Sequence, residues 1–505
     1  MWTFTRHRAL IRSSVIALAL LLANTRSNSF TPTALVNPIE VSQSAVCRVV
    51  PEMAPIPYHD ELRSIQSGPH TSAGQNSPQR VYGTLVQSLD APWLQVQFGS
   101  TNLGRSSYLK LTSLSDGAVQ QLDAATLALW HNQSAMFKGD AVKIELFAAP
   151  EDKDVFFEVQ SLMVGEWVGG VPLRSSRPAV GKLDSSAPQQ LDTTHYNPDS
   201  VCAVNDDRVA SNDPAVGRIV PIGCTGWVIS NGAFLTAGHC FDFNNMLTIQ
   251  FSVPASNADG TINPPSPNDQ YPIDRSNVSW RNNGDGDDWT VFRVTRNQTT
   301  TLTPPLAYGS FYRIRPNDQP ATVRVTGYGL DGPAPCFGEP RQPGCANPNP
   351  PRNATNQTQQ TATGPGQGRT GDHFQHSVDT EGGNSGSPVR YTDTWTAVAI
   401  HTHGISAGTC ITSFNGGTAF TNATLAAAIN TFPGNNVRYV DKGYPAWTTE
   451  DGTAFRPFDL LAEGINSVTA GGIVSVVTGH YNEPMTINKN VILEAPVGTV
   501  VIGAP

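Results

Sequence analysis

Three side chains in this sequence have types and surroundings suited to one reaction: Ser385, His239 and Asp288. A serine hydroxyl is a poor nucleophile at neutral pH. It becomes reactive when an adjacent base takes its proton and a third group orients that base. Ser385 sits in Thr380-Glu381-Gly382-Gly383-Asn384-Ser385-Gly386-Ser387-Pro388, where flanking glycines bend the backbone so that the hydroxyl and nearby N–H groups face one spot. His239, the candidate base, ends the apolar run of Phe234-Leu235-Thr236-Ala237-Gly238-His239-Cys240. Asp288, the candidate orienter, heads Trp289-Thr290-Val291-Phe292. Asp287 is its competitor, and Asp288 is preferred because the alternation starts immediately after it. His, Asp, Ser is one of the chain orders in which this triad occurs. The N–H groups of Gly383 and Ser385 would then form an oxyanion hole, aimed at charge that develops on the carbonyl under attack.

Strands must position these residues. The chain has 505 residues, 45 Gly, 39 Pro and only 14% charged residues, which favours turn-rich β structure in several domains over long helices. The net charge of -9 carries no basic block, which argues against nucleic-acid binding. Arg6, His7, Arg8 and Arg12 precede an apolar run from Val15 to Ala23, too short to span a bilayer, so residues 1–25 read as a signal peptide and the protein as secreted. No other stretch is long and apolar enough to be transmembrane.

Residues 26–79, rich in Pro, Ser and Gln, read as extended or poorly ordered. Period-two alternation in Trp93-Leu94-Gln95-Val96-Gln97-Phe98, Tyr108-Leu109-Lys110-Leu111 and Ala141-Val142-Lys143-Ile144-Glu145-Leu146 predicts a β-sandwich over 80–171. Residues 172–200 have linker composition and suit proteolytic maturation. Residues 201–435 hold the reactive trio, interrupted by an insertion of loop composition at 331–372. In the tail, 450–505, Phe458, Leu461, Ile465 and Val468 suit a short amphipathic helix. Apolar pieces at 472–477, 485–487, 491–493 and 500–502 then suit strands. With fewer than three repeats such a segment must dock on something or be marginally stable.

Asp285 and Asp287 lack the spacing of an EF-hand loop. His401 and His403, with His373 and His376 nearby, lack a coherent fourth ligand or cysteine pair. No metal and no cofactor is expected. Seven cysteines leave one over, and Cys47, far upstream of the others, reads as the free thiol. The other six allow 15 pairings.

The reactive region resembles the trypsin/chymotrypsin clan of serine proteases over about 201–435, and its glutamyl-endopeptidase branch in particular. The motifs that carry this are Asn205-Asp206-Asp207-Arg208-Val209 with Cys224-Thr225-Gly226-Trp227, then Thr236-Ala237-Gly238-His239-Cys240, Val325-Thr326-Gly327-Tyr328-Gly329, Asp379-Thr380 with Gly382 to Pro388, and Ile400-His401-Thr402-His403-Gly404. The resemblance implies two six-stranded antiparallel β-barrels with the triad at their junction. It implies protein or peptide substrates, with Thr380 and His401 binding a substrate carboxylate so that cleavage follows Glu, and Asp more weakly. Asp379, near where trypsin holds its base-binding acid, is the competing cue for Lys or Arg. It also implies a Cys224–Cys240 bridge. Cys336–Cys345 would close the insertion, and Cys202–Cys410 is left by elimination, with a counterpart in lysyl endopeptidases. The digestive enzymes carry Asp before the serine, which pairs with a freed amine on activation; here that position is Asn384, and a neutral amide cannot make the pair. The tail resembles the opening of a parallel β-helix through Gly479-His480-Tyr481-Asn482-Glu483. The whole is therefore expected to be mostly β. The competing readings are a silent protease-like core kept as a binding or surface protein, and acyl transfer to non-peptide substrates. The latter usually uses Gly-x-Ser-x-Gly, whose last glycine is missing here.

Overall fold

Alternating burial along short strands builds this molecule: in Tyr108–Ser113 every second side chain is buried, and Leu109 and Leu111 are fully so. The computed structural model describes residues 49–51, 53–72, 76–168, 206–316, 321–332, 351–394, 396–405, 414–445 and 449–503. All of them fall within one unit, Cys47–Pro505.

The N-terminal part is two packed four-stranded antiparallel sheets. One runs in the order Tyr58–Gln66, Phe156–Gly165, Trp93–Asn102, Phe137–Lys138, and the other in the order Gln79–Gln87, Ala141–Ala148, Tyr108–Ser113, Val119–Leu122. Leu94, Val96, Leu111, Ile144, Leu146 and Phe157 fill the space between them. The first strand corrects the sequence reading of 26–79 as extended or poorly ordered. Tyr58-His59-Asp60-Glu61-Leu62-Arg63-Ser64-Ile65-Gln66 is an edge strand, so it needs few apolar residues, and its Leu62 is 83% exposed. A second cluster joins Trp93, Met136 and Met163 of these sheets to Val220, Leu247 and Ile262 downstream. The Met136 N–H also donates to Gln270 Oε1 at 3.0 Å.

Two closed rings follow. Val216–Pro221, Cys224–Val228, Phe234–Thr236, Asp288–Val294, Gln270–Asn282 and Met246–Gln250 form a six-stranded antiparallel barrel. Thr322–Gly327, Gln360–Thr370, His373–His376, Asn415–Ala419, Thr396–Ile405 and Pro388–Tyr391 close a second. This is the two-barrel, mostly β architecture that the resemblance implies. The insertion at 331–372 is not all loop, since the strand Gln360–Thr370 lies near its end. Its low apolar content misleads because glycine is obligatory there: a Cβ on Gly364 would lie 2.3 Å from Ser377 O. A further strand, Val49–Pro51, adds antiparallel to Thr396–Ile405.

In the tail, Val437–Val440, Ile473–Val476 and Ile492–Glu494 pair in parallel, as do Gly479–Tyr481 and Val500–Ile502. The expected helix is Leu461–Ser467, and the Glu483 carboxylate accepts the N–H groups of Leu461 and Ala462 at its start. Residues 485–487 form no strand, contrary to expectation. The tail docks on the barrels: Tyr439, Ala454 and Phe455 belong to their main core, and Arg313 pairs with Asp441 at 2.6 Å.

Candidate active site

The first barrel delivers the base and its orienter together. Phe234–Thr236 pairs with Asp288–Val294 with Thr236 opposite Thr290, so the turn after one strand meets the head of the other. Gly238 allows the approach; a Cβ there would lie 1.7 Å from Arg281 O. His239 Nδ1 lies 2.6 Å from Asp288 Oδ2, and the His239 N–H donates to Asp288 Oδ1 at 2.8 Å. Asp288 is fully buried, and its backbone N–H and C=O both bond the Thr418 hydroxyl of the second barrel. Asp287 takes another path. It accepts from Asn283, Arg281, Trp289 and Asn422 and so anchors its own loop.

The serine arrives from the second barrel on a turn pinned to the first. Gly383 has φ of 103°, a conformation costly for other residues. Thr225 donates to Ser385 O through its N–H at 2.8 Å and to Gly383 O through its hydroxyl at 2.9 Å. Trp227 Nε1 donates to Gly386 O. The Cys224–Cys240 disulfide joins this strand to the histidine turn. His239 Nε2 lies 2.7 Å from Ser385 Oγ. A carboxylate only accepts, so Asp288 accepts a hydrogen bond from His239 Nδ1–H and leaves Nε2 to accept from the serine. The arrangement can therefore draw a proton off Ser385 and hold the resulting imidazolium against Asp288.

Asn384 does not act as an ion-pair partner: its N–H and side-chain amide both donate to Glu381 O. Asp379 Oδ2 accepts the Asp207 N–H at 3.0 Å. Thr380 and His401, separated in sequence, are both fully buried near the serine turn, and the backbone N–H of His401 donates to Ser387 O. Asn415 Nδ2 donates to Thr380 Oγ1 at 3.1 Å. Cys202, Cys336, Cys345, Cys410 and Cys47 lie outside the described residues, as do the expected signal peptide and linker.

Sequence reasoning gave His376 no role in the pocket. The Val378 N–H donates to His376 Nδ1, so His376 carries its proton on Nε2. That nitrogen lies 3.1 Å from His401 Nδ1, which must accept, leaving His401 with its proton on Nε2. The signal was the alternation in His373–His376, where Phe374 and His376 are the buried pair. His403 was also underweighted: Nδ1 lies 3.4 Å from Asp285 and 3.7 Å from Asp288, and its ring meets that of His239 edge-on. Burial lowers the His403 pKa, against the pull of Asp285 and Asp288.

Burial, with His239 adding to it, lowers His401 to about 3, and burial carries His376 well below the usual histidine range. Both are neutral at physiological pH. An unfolded histidine takes a proton near ~6.5. Between that value and about 3 the unfolded chain binds more protons at His401, so stability must fall as pH falls. Urea unfolding at pH 7 and pH 5 should show it: His401→Gln is expected to flatten the decline by up to about 1.4 kcal/mol per pH unit. An unchanged slope would contradict a neutral His401.

No helix among the described residues is long and apolar enough to cross a membrane. No curated protein matches the chain. Solved structures with some likeness include a Glu endopeptidase in complex with MPD, 18% identical over 44% of this chain and 96% of that one, with a TM-score of 0.29. A mutant of human heparin binding protein is 13% identical over 43% of this chain and 94% of that one, with a TM-score of 0.31. A thermostable serine protease from an extremophilic microorganism is 14% identical over 41% and 92%, with a TM-score of 0.29. Residues 224–400, which carry His239, Asp288 and Ser385, match the family model of the trypsin-like peptidase domain.

Proposed function

We propose that this protein is a secreted serine endopeptidase that cleaves after glutamate, and after aspartate more slowly, with Ser385 as nucleophile, His239 as base and Asp288 as orienter. The observation that carries the preference is the hydrogen-bond relay from the Val378 N–H through His376 to His401, which fixes a neutral imidazole with its Nε2 hydrogen as donor. Thr380 supplies a second donor, and hydrogen bonds to a carboxylate are roughly twice as strong as neutral ones. Lys or Arg would need a carboxylate at the pocket base, and the candidate, Asp379, is engaged by the Asp207 N–H. Export is supported by the apolar run from Val15 to Ala23 and by the Cys224–Cys240 bridge, a type of bond that persists in oxidising compartments. The unbroken path of hydrogen bonds from Asp288 to Ser385 speaks against a silent core kept for binding.

Matched fluorogenic peptides with Glu, Asp, Lys or Phe before the cut bond test the reading. Glu should be fastest. His401→Ala should lower kcat/KM for Glu relative to Phe by on the order of 10- to 100-fold, the worth of one hydrogen bond to a charged group. Faster turnover of Lys than Glu would sink the specificity, as would a His401→Ala enzyme that kept it.

A further inference from the structure

We propose that the chain on either side of the Glu52–Met53 bond is tied across the catalytic serine as a substrate lies, and that this bond is the enzyme's own first cleavage site. This inference rests on the glutamyl-peptidase reading above.

Two sets of backbone contacts carry it. Upstream, Val49, Val50 and Pro51 pair antiparallel with Ile405, Gly404 and His403. The paired strand, Thr396–Ile405, also holds His401 and Thr402, and Thr402 O lies 3.1 Å from Ser385 Oγ. Downstream, Met53 O lies 3.0 Å from where a Cβ on Gly382 would be, beside the oxyanion candidate Gly383. The Ala54 N–H then donates to Gly223 O at 2.9 Å, the Ile56 N–H donates to Pro221 O at 3.0 Å, and Gln357 Nε2 donates to Ala54 O at 2.6 Å. The chain is thus tied to the second barrel before the serine and to the first barrel after it. One residue separates the two tied stretches, and the sequence has glutamate there, the side chain that His401 and Thr380 suit. Adding an extended peptide to a sheet edge is a general mode of peptide recognition: the backbone ladder gives affinity and the pockets give specificity.

The chemistry closes on this chain's own atoms. Ser385 Oγ adds to the Glu52 carbonyl carbon while His239 Nε2 takes the hydroxyl proton. The C–N bond to Met53 breaks, and His239 passes that proton to the departing nitrogen. Water hydrolyses the ester, leaving a carboxylate on Glu52, an α-amine on Met53 and Ser385 restored. Until that cut, the tethered segment holds the cleft against outside peptides, because tethering gives it a high effective concentration.

Intact mass and N-terminal sequencing of the secreted full-length chain test this, with a glutamyl fluorogenic peptide assayed in parallel. Wild type should begin at Met53, and Ser385→Ala should keep the Glu52–Met53 bond. Glu52→Lys should also keep it and should hydrolyse the external peptide on the order of tenfold more slowly than wild type, since the segment stays in place. An enzyme that cleaves the glutamyl peptide yet leaves its own Glu52–Met53 bond intact overturns the inference and spares the functional reading. Cleavage at that bond in Ser385→Ala overturns self-processing. Failure to cut either bond removes both.

Discussion

Ser385→Ala is expected to lower kcat on glutamyl peptides by roughly a million-fold, His239→Ala by about the same, and the double variant by little more than either alone. The reason is geometric. His239 Nε2 and Ser385 Oγ share one proton across 2.7 Å, so removing either end removes the same event. What survives should come from substrate binding and from oxyanion donors such as the N–H groups of Gly383 and Ser385. Single-turnover kinetics on wild type and variants all produced as chains that begin at Met53 measure it. Losses that multiply in the double variant would mean that the two side chains act in separate steps.

Asp288→Asn is expected to cost roughly ten-thousand-fold in kcat while leaving the fold intact. An amide can donate to His239 Nδ1, which moves the ring proton to Nε2 and aims it at the serine. The base then cannot take the hydroxyl proton. Asp287→Asn should change kcat little, because its carboxylate serves Asn283, Arg281, Trp289 and Asn422. Comparing the two variants decides between the adjacent acids, and a large loss at 287 with none at 288 would reverse the assignment.

The residues that meet around Ser385 were legible because each sits in a stretch whose neighbours are fixed by close approach. Gly238 before the histidine and the glycines around the serine leave no room for a side chain or need a rare backbone angle. Such constraints act over a few residues, so they survive in the sequence as motifs. His376 was not legible in the same way. Its role arises from pairing between His373–His376, Asn415–Ala419 and Thr396–Ile405, strands brought together only when the second barrel closes. The edge strand Tyr58–Gln66 escaped notice because a strand with one neighbour and an exposed face needs few apolar residues. Val49–Pro51 escaped because three residues carry no period, and its partner, Thr396–Ile405, lies in a distant part of the chain.

The strand Val437–Val440 has a consequence for how this protein comes apart. Val437 and Tyr439 are members of the barrels' main core, while Val440 belongs to the tail's cluster with Leu461, Val474 and Tyr481. One strand is therefore a party wall between two hydrophobic interiors. Stripping the tail away would bare the far side of that wall and unseat Ala454 and Phe455 from the near side. The catalytic unit and the cooperative folding unit then differ in extent: the protease part and the tail should lose amide-exchange protection together, as one foldon, although only one of them touches the chemistry.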